Sequence, residues 1–375
     1  MPFATILTVN SGSSSIKLAL FERAGKELRR SVELNAHIDS HAPEEMLRDF
    51  LREHGARAID LAAHRVVHGG ALLTRSCRIG AEEEAEIERL AALAPLHNPP
   101  ALAWIRASRE VLGRETSQVA VFDTAFFAAL PAAAATYALP AALSRERHLR
   151  RYGFHGTAHR ALWQRWRALR PEIPEGGRAI TLQLGAGCSA AAIARGEAQD
   201  TSMGFSPMEG LVMATRSGDI DPGLILHLQR TMGWSAERLE QVLNRESGLL
   251  GISGRSGDMK TLLESDAPEA RLAVEVFCHR VRKYIGAYLA VLGGADAILF
   301  GGGIGEHAPV VRERILAPFA WCGLRLDRAA NAASGREARI SASGSTIECW
   351  TIPVDEAQVL AGEALEAMGE PGSAA

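Results

Sequence analysis

Short apolar runs broken by glycine and serine organise the chain. Ile6-Leu7-Thr8-Val9 leads into Asn10-Ser11-Gly12-Ser13-Ser14-Ser15, and apolar residues resume at Ile16, Leu18, Ala19, Leu20 and Phe21. About half a chain later, Ala179-Ile180-Thr181-Leu182-Gln183-Leu184 leads into Gly185-Ala186-Gly187-Cys188-Ser189, followed by Ala190-Ala191-Ala192-Ile193. Each reads as strand, tight polar turn, strand. Further strands are expected at 62–68, 119–122, 297–300 and 347–352. Helical spacing predicts helices at 43–54, 81–94, 101–112, 222–232, 235–245, 268–292 and 355–368, with Val274, Phe277, Val281, Ile285, Tyr288 and Leu292 on one face of the longest. Gly153 to Arg165 begins as a loop and becomes a helix, whereas the alanine- and proline-rich stretch 128–144 has no clear period and reads as a turn or lid. The alternation of strands and helices argues an α/β fold.

Glycines let a backbone approach an anion, and successive N–H groups and hydroxyls can cradle phosphate oxygens. Two such hairpins suggest two similar domains facing each other across a nucleotide cleft. Neither loop ends in Gly-Lys-Ser/Thr running into a helix, so a Walker-type site is excluded. The 375 residues suffice for two or three domains. Apolar residues make up 47% and charged residues 23%, ordinary for a globular protein, and the net charge of -3 gives no electrostatic case for nucleic acid. No signal peptide and no membrane span are expected. The five cysteines, Cys77, Cys188, Cys278, Cys322 and Cys349, have neither zinc nor disulfide spacing, which fits reduced thiols in a cytoplasmic protein.

Several segments together carry a family resemblance. They are Val9 to Lys17, His64 to Gly70, Phe122 to Phe126, Tyr152 to Thr157, Asp200 to Phe205 with Pro207, Thr215 to Pro222, Ser247 to Gly254 and Gly302 to Glu306. Through these the sequence resembles acetate kinase and its short-chain acyl kinase relatives, in the sugar kinase, Hsp70 and actin superfamily. The resemblance implies duplicated ribonuclease-H-like α/β domains around a nucleotide cleft. It implies an N-terminal domain over 1–150 with acyl and phosphate contacts, a nucleotide-binding domain over 151–352, and a terminal segment, 353–375, returning to the first. The implied reaction is reversible transfer of the ATP γ-phosphoryl group to acetate, forming acetyl phosphate and ADP, in a homodimer that uses Mg²⁺, or Mn²⁺ in its place.

Phosphorylating a carboxylate needs no strong base, because the nucleophile is already ionised; it needs positioned cations. Arg65 and Arg216 are the candidates, since guanidinium forks match phosphoryl and carboxylate oxygens. By resemblance they flank the acyl substrate, and His155 donates to the transferring phosphoryl group. His68 and His97 are read as groups that orient an arginine or close a turn. Asn10, Ser13, Ser15 and Lys17 suit phosphate and Mg²⁺-bound water, Asp123 and Glu356 suit the metal, and Asp355 is a substitute for Glu356. Val67, Leu96, Phe154 and Pro207 match a small apolar pocket for the acyl methyl. Asp258, Met259 and Lys260 match the segment that meets adenosine; Gly185 and Gly187 belong to one nucleotide loop, and Gly303, Gly305, Glu306 and His307 to another.

The second hairpin departs from the family pattern. Gln183 stands for a histidine, Ala186 for an asparagine and Cys188 for a serine; Phe127 stands where the segment after Asp123 ends in histidine, and His307 replaces an asparagine. These changes remove polar side-chain contacts but leave the glycine backbone. Alternative readings are a kinase for propionate or another short acid, a pyrophosphate-using acyl kinase, and a noncatalytic nucleotide-binding regulatory protein.

Overall fold

The computed structural model describes residues 3–12, 15–25, 27–37, 42–55, 58–333 and 337–370. The chain divides into two compact units. Unit 1 comprises Met1–Ala128, Phe154–Ala161 and Asp355–Ala375; unit 2 comprises Ala129–Gly153 and Leu162–Val354.

Unit 1 is built on six strands: β1 (Thr5–Ser11), β2 (Ser15–Ala24), β3 (Glu27–His37), β4 (Leu61–Val66), β5 (Cys77–Arg78) and β6 (Ser117–Phe122). Their order is β3-β2-β1-β4-β6-β5. The β1–β2–β3 meander is antiparallel, β1–β4 and β4–β6 are parallel, and β5 is an antiparallel edge. Both faces are covered, which explains why its central strands are apolar almost throughout. On one face Leu7, Val9, Leu18 and Leu20 pack with Leu47, Phe50 and Trp104, from helices Pro43–Glu53 and Asn98–Leu112. On the other, Ile6, Phe21, Leu61, Ala63, Val119 and Val121 pack with Leu360, Ala361, Ala364 and Leu365. Those four belong to the final helix, Glu356–Ala367, so the last segment of the chain completes the first sheet.

Unit 2 repeats the plan with β7 (Arg178–Leu184), β8 (Cys188–Ala194), β9 (Glu197–Thr201), β10 (Ala297–Gly301), β11 (Ala338–Arg339) and β12 (Glu348–Thr351). Listed from the meander edge, the order is β9-β8-β7-β10-β12-β11. The directions match the first sheet strand for strand: antiparallel meander, two parallel pairs, antiparallel edge. Ala190, Ala191 and Ala192 on β8 are fully buried, and the long helix Pro268–Leu292 packs on this strand. Small side chains there let helix and sheet approach closely.

Some expected elements differ. The stretch 128–144 contains two short helices, Ala132–Ala135 and Ala141–Glu146. The glycine-rich segment after β10 is a helix, Gly302–His307, and the helix expected at 235–245 is α-helical over Ala236–Gln241 and widens to a π-turn over Val242–Glu246. No helix among the described residues is long and apolar enough to cross a membrane.

Candidate active site

In unit 1 the polar cluster lies where β1, β4 and β6 end. Asn10 is on β1, Arg65 on β4, and Asp123 follows β6. Arg65 grips Asp123 with two parallel bonds, Nε to Oδ1 at 3.1 Å and Nη2 to Oδ2 at 2.6 Å. Its Nη1 donates to Asn10 Oδ1 at 3.2 Å, and Asn10 Nδ2 donates to Glu356 Oε2 at 3.0 Å. Such a fork–fork pair is strong and directional. Burial pushes the Asp123 carboxyl up, but the Arg65 charge and hydrogen bonds, with help from His155 and Thr157, bring it below its ordinary value. Burial likewise pulls Arg65 down, and Asp123 and Glu356 more than reverse this.

A tight turn adds Thr157. Gly153 and His155 both have positive φ, +74° and +57°, and helix Gly156–Leu169 starts immediately afterwards. A side chain at Gly156 would put Cβ 1.9 Å from the Asp123 carbonyl oxygen, so only glycine lets the helix start this close. Thr157 Oγ1 consequently lies 3.0 Å from Asp123 Oδ1 and 2.7 Å from Glu356 Oε1. One hydroxyl proton serves two carboxylates. The cluster carries two carboxylates against one guanidinium. Two carboxylates and an amide oxygen are hard oxygen ligands, the donor chemistry of a Mg²⁺ site completed by water and substrate. The residues present therefore fit a divalent cation.

The other expected residues of unit 1 fall as follows. Phe154 is buried and meets the His68 ring edge-on at 5.5 Å, Val67 is buried and Leu96 is exposed. His68 Nδ1 accepts the Gly70 N–H at 2.9 Å and so closes a turn. The first hairpin closes through Gly12 N–H to Ser15 O at 2.7 Å, and Lys17 is exposed opposite Asn10. Ser13 lies outside the described residues. Phe127 is fully buried against His159, whose imidazole burial pushes down to about 3, with His155 adding to the shift.

Unit 2 holds a cavity of ≈ 690 Å³. The structure brings Gly185, Asp258, Met259, Lys260, Gly303 and His307 to its wall, joined by Ala186, Ala214, Leu263 and Ile304. Gly187, Gly305 and Glu306 are outside that lining. Glu306 instead accepts the Gly302 N–H at 3.0 Å, and Asp258 caps its own helix through Thr261 N–H at 2.8 Å. Cys188 Sγ donates to Gly185 O at 3.2 Å, and burial pushes its thiol up to about 12. Gln183 Oε1 is buried and accepts from no group among the described residues.

Arg216 contrasts with Arg65. Its Nη1 donates to the Pro207 carbonyl at 2.8 Å, and no carboxylate among the described residues pairs with it. Burial lowers its affinity for its proton, with Cys188 acting in the opposite direction. A desolvated guanidinium held by a neutral carbonyl keeps its attraction for an anion.

Two residues with contacts at these sites carried no assigned role in the sequence. Thr157 sits within a quoted motif, but only its contacts reveal the bridge. Arg312, on helix Pro309–Leu316, is fully buried with no carboxylate partner among the described residues. It donates to the carbonyls of Gly305 (2.7 Å) and Glu306 (2.9 Å), and to Asn331 Oδ1 (2.8 Å) and O (2.6 Å). Burial lowers its pKa to about 10. It pins the end of the helix whose Gly303, Ile304 and His307 line the cavity.

Two sheets of matching strand order, a carboxylate–arginine cluster in one unit and a glycine-walled cavity in the other are the arrangement expected of a phosphotransferase. The model of the acetokinase family matches residues 29–362, and the chain belongs to that family. An acetate kinase from Chloroherpeton thalassium is 48% identical over 309 residues, covering 81% of this chain and 74% of that relative. The crystal structure of Porphyromonas gingivalis acetate kinase superposes with a TM-score of 0.87 at 33% identity, over 97% of this chain and all of the other. A propionate kinase from Francisella tularensis subsp. tularensis SCHU S4 gives 0.87 at 35%, over 97% and 99%.

Proposed function

We propose that this protein transfers the γ-phosphoryl group of ATP to acetate, forming acetyl phosphate and ADP, and catalyses the reverse reaction. The observation that carries the reading is the contrast between the arginines: Arg65 is neutralised by Asp123, while Arg216 pairs with no carboxylate among the described residues. Acetate is ionised at neutral pH, so the chain needs no general base. Arg216 holds anionic oxygens, and His155 donates to the phosphoryl group. Asp123 and Glu356, with the Asn10 amide oxygen, would hold Mg²⁺ or Mn²⁺; the ion, when bound, supplies charge neutralisation for the phosphates. Gly185 and Gly303 offer close backbone approach to the nucleotide.

Supporting ATP over pyrophosphate is the ≈ 690 Å³ cavity walled by Met259, Leu263 and Ile304, apolar surface for a base that pyrophosphate lacks. Val67, Leu96, Phe154 and Pro207 are proposed as acyl contacts. One methylene changes binding in such a pocket by about 1–3 kcal/mol, so propionate is the nearest competing substrate. The matched strand order supports a duplicated ribonuclease-H-like fold. We assign acyl and phosphate contacts to the 1–150 domain with 353–375, and nucleotide contacts to 151–352, which also carries the proposed acyl and phosphoryl contacts Phe154, His155, Pro207 and Arg216. A homodimer is part of the proposal; Leu224, Leu226 and Met232, exposed on helix Pro222–Met232, are apolar surface that self-association could cover. Five free thiols support a reducing, cytoplasmic setting.

The test is trapping of the acyl phosphate with hydroxylamine, using ATP, Mg²⁺ and acetate, propionate or butyrate, with pyrophosphate as an alternative donor. Acetate and ATP should give the highest kcat/KM, and Arg216→Ala should lower turnover at least ~100-fold. No product above that control would refute the kinase reading. Saturable nucleotide binding without turnover would favour the regulatory alternative.

A further inference from the structure

The loop that carries Pro207 is closed on itself by a phenol. The Tyr137 hydroxyl oxygen accepts the Phe205 N–H at 2.8 Å, and its proton goes to Glu209 Oε2. Phe205 and Glu209 are the two ends of the segment Phe205-Ser206-Pro207-Met208-Glu209, so one side chain ties both ends. Glu209 Oε1 accepts from Arg151 Nη2 at 2.5 Å. Arg151 in turn donates through Nη1 to the carbonyls of Thr201 (3.1 Å) and Ser202 (3.3 Å), and its guanidinium lies 5.6 Å from the centre of the Tyr137 ring. A Cβ at Gly204 would stand 1.7 Å from Glu209 Oε2 and 2.0 Å from the Tyr137 oxygen, so the closure leaves no slack on that side. Beyond Glu209, Gly210 and Asp219 exchange two further bonds, Gly210 N–H to Asp219 Oδ1 at 2.8 Å and Asp219 N–H to Gly210 O at 3.0 Å.

In the middle of this closed loop the Pro207 carbonyl receives Arg216 Nη1 at 2.8 Å. No other hydrogen bond holds that guanidinium among the described residues. The acid in the network, Glu209, is engaged by Arg151 and Tyr137, which keeps a negative charge off Arg216. The closure thus separates two requirements. Arg216 must be held in a fixed direction, and it must stay unneutralised.

We propose that Tyr137 and Glu209 are positioning residues for Arg216: by closing the 205–209 loop they fix the Pro207 carbonyl, and that carbonyl aims the guanidinium at the bound anion. The proposal rests on Arg216 being the cation that binds carboxylate or phosphoryl oxygens. Neither Tyr137 nor Glu209 needs to touch substrate. Their effect passes through a backbone carbonyl, and orientation of a catalytic group is a large share of enzymatic rate.

The experiment compares wild type with Tyr137→Phe, which deletes one oxygen and keeps the ring against Arg151. Steady-state constants are measured for ATP and for whichever short carboxylate the wild type phosphorylates best, together with the melting temperature. The carboxylate KM should rise and kcat fall, each by ~5-fold or more, while the KM for ATP stays within about twofold. Glu209→Gln keeps the shape and an acceptor for the phenol but weakens the Arg151 bond, so it should shift the same constants by less. It also serves as the readable variant if Tyr137→Phe does not fold. Unchanged constants in both variants would overturn the proposal. So would equal rises in both KM values with a lowered melting temperature, which signal general loosening. A wild type that phosphorylates no short acid would instead overturn the acyl kinase reading on which the proposal stands.

Discussion

Replacing Gly156 with alanine should weaken this protein, although the same exchange strengthens most helices by ~0.5–1 kcal/mol. The new Cβ would stand 1.9 Å from the Asp123 carbonyl oxygen and 2.8 Å from the Phe126 Cβ. Ordinary contact requires the helix start or the Asp123 backbone to retreat by about 1.5 Å. Thr157 is the next residue, and its 3.0 and 2.7 Å contacts with Asp123 and Glu356 do not survive a shift of that size. Overpacking of this kind costs about 1–3 kcal/mol, more than the helix gain. A misplacement of ~1 Å costs about 100-fold in rate, or ~2.7 kcal/mol of barrier. Gly286→Ala is the matched control. Gly286 lies inside helix Pro268–Leu292, and nothing stands within 4 Å of its added Cβ. The assay is the urea midpoint and initial rate of each variant. Gly156→Ala should lower both, and Gly286→Ala should raise the midpoint and leave the rate alone. A Gly156→Ala protein with wild-type rate and midpoint would refute the reasoning.

Asp123 should shape the acid limb of stability. Its folded carboxyl is held below its unfolded value, so the stabilisation is fully present above about pH 4 and is lost as pH falls through the folded value. Asp123→Asn should flatten the fall in melting temperature between pH 5 and pH 2, and parallel curves for variant and wild type would count against this; at neutral pH the variant should be less stable by about 3–5 kcal/mol, because Arg65 loses its partner. Arg312→Met should strand the carbonyls of Gly305, Glu306 and Asn331 at ~1–3 kcal/mol each, partly offset by removing a buried charge. Amide exchange across Gly302–His307 should accelerate; unchanged protection there would contradict the clamp.

The strand pattern was legible because buried sheet writes long apolar runs into the sequence. The runs at 119–122 and 297–300 lie inside Ser117–Phe122 and Ala297–Gly301. Two-residue edges such as Cys77–Arg78 leave no such trace. The glycines after β10 read as a loop, yet Gly302 is needed because a Cβ would meet Leu184 O at 2.6 Å, and Glu306 then caps the helix that follows. Asn10, Arg65, Asp123 and Glu356 were named from motifs, but composition and spacing gave no sign that they share hydrogen bonds. Thr157 and Glu356 are 199 positions apart in the chain. Arg312 lies in the mixed-charge run Arg312-Glu313-Arg314, and only its acceptors distinguish it.

The final helix covers one face of the first sheet, and this orders events on the ribosome. Leu61, Ala63, Val119 and Val121 have emerged long before Leu360 and Leu365 are made. At elongation rates of ~5–20 residues per second, the roughly 240 residues between them take about 10–50 s to synthesise. For that interval the nascent first sheet has an uncovered apolar face, while the contiguous β7–β12 sheet can gather all its own strands. The later-encoded unit is therefore the one free to finish first, and the beginning of the protein waits for its end.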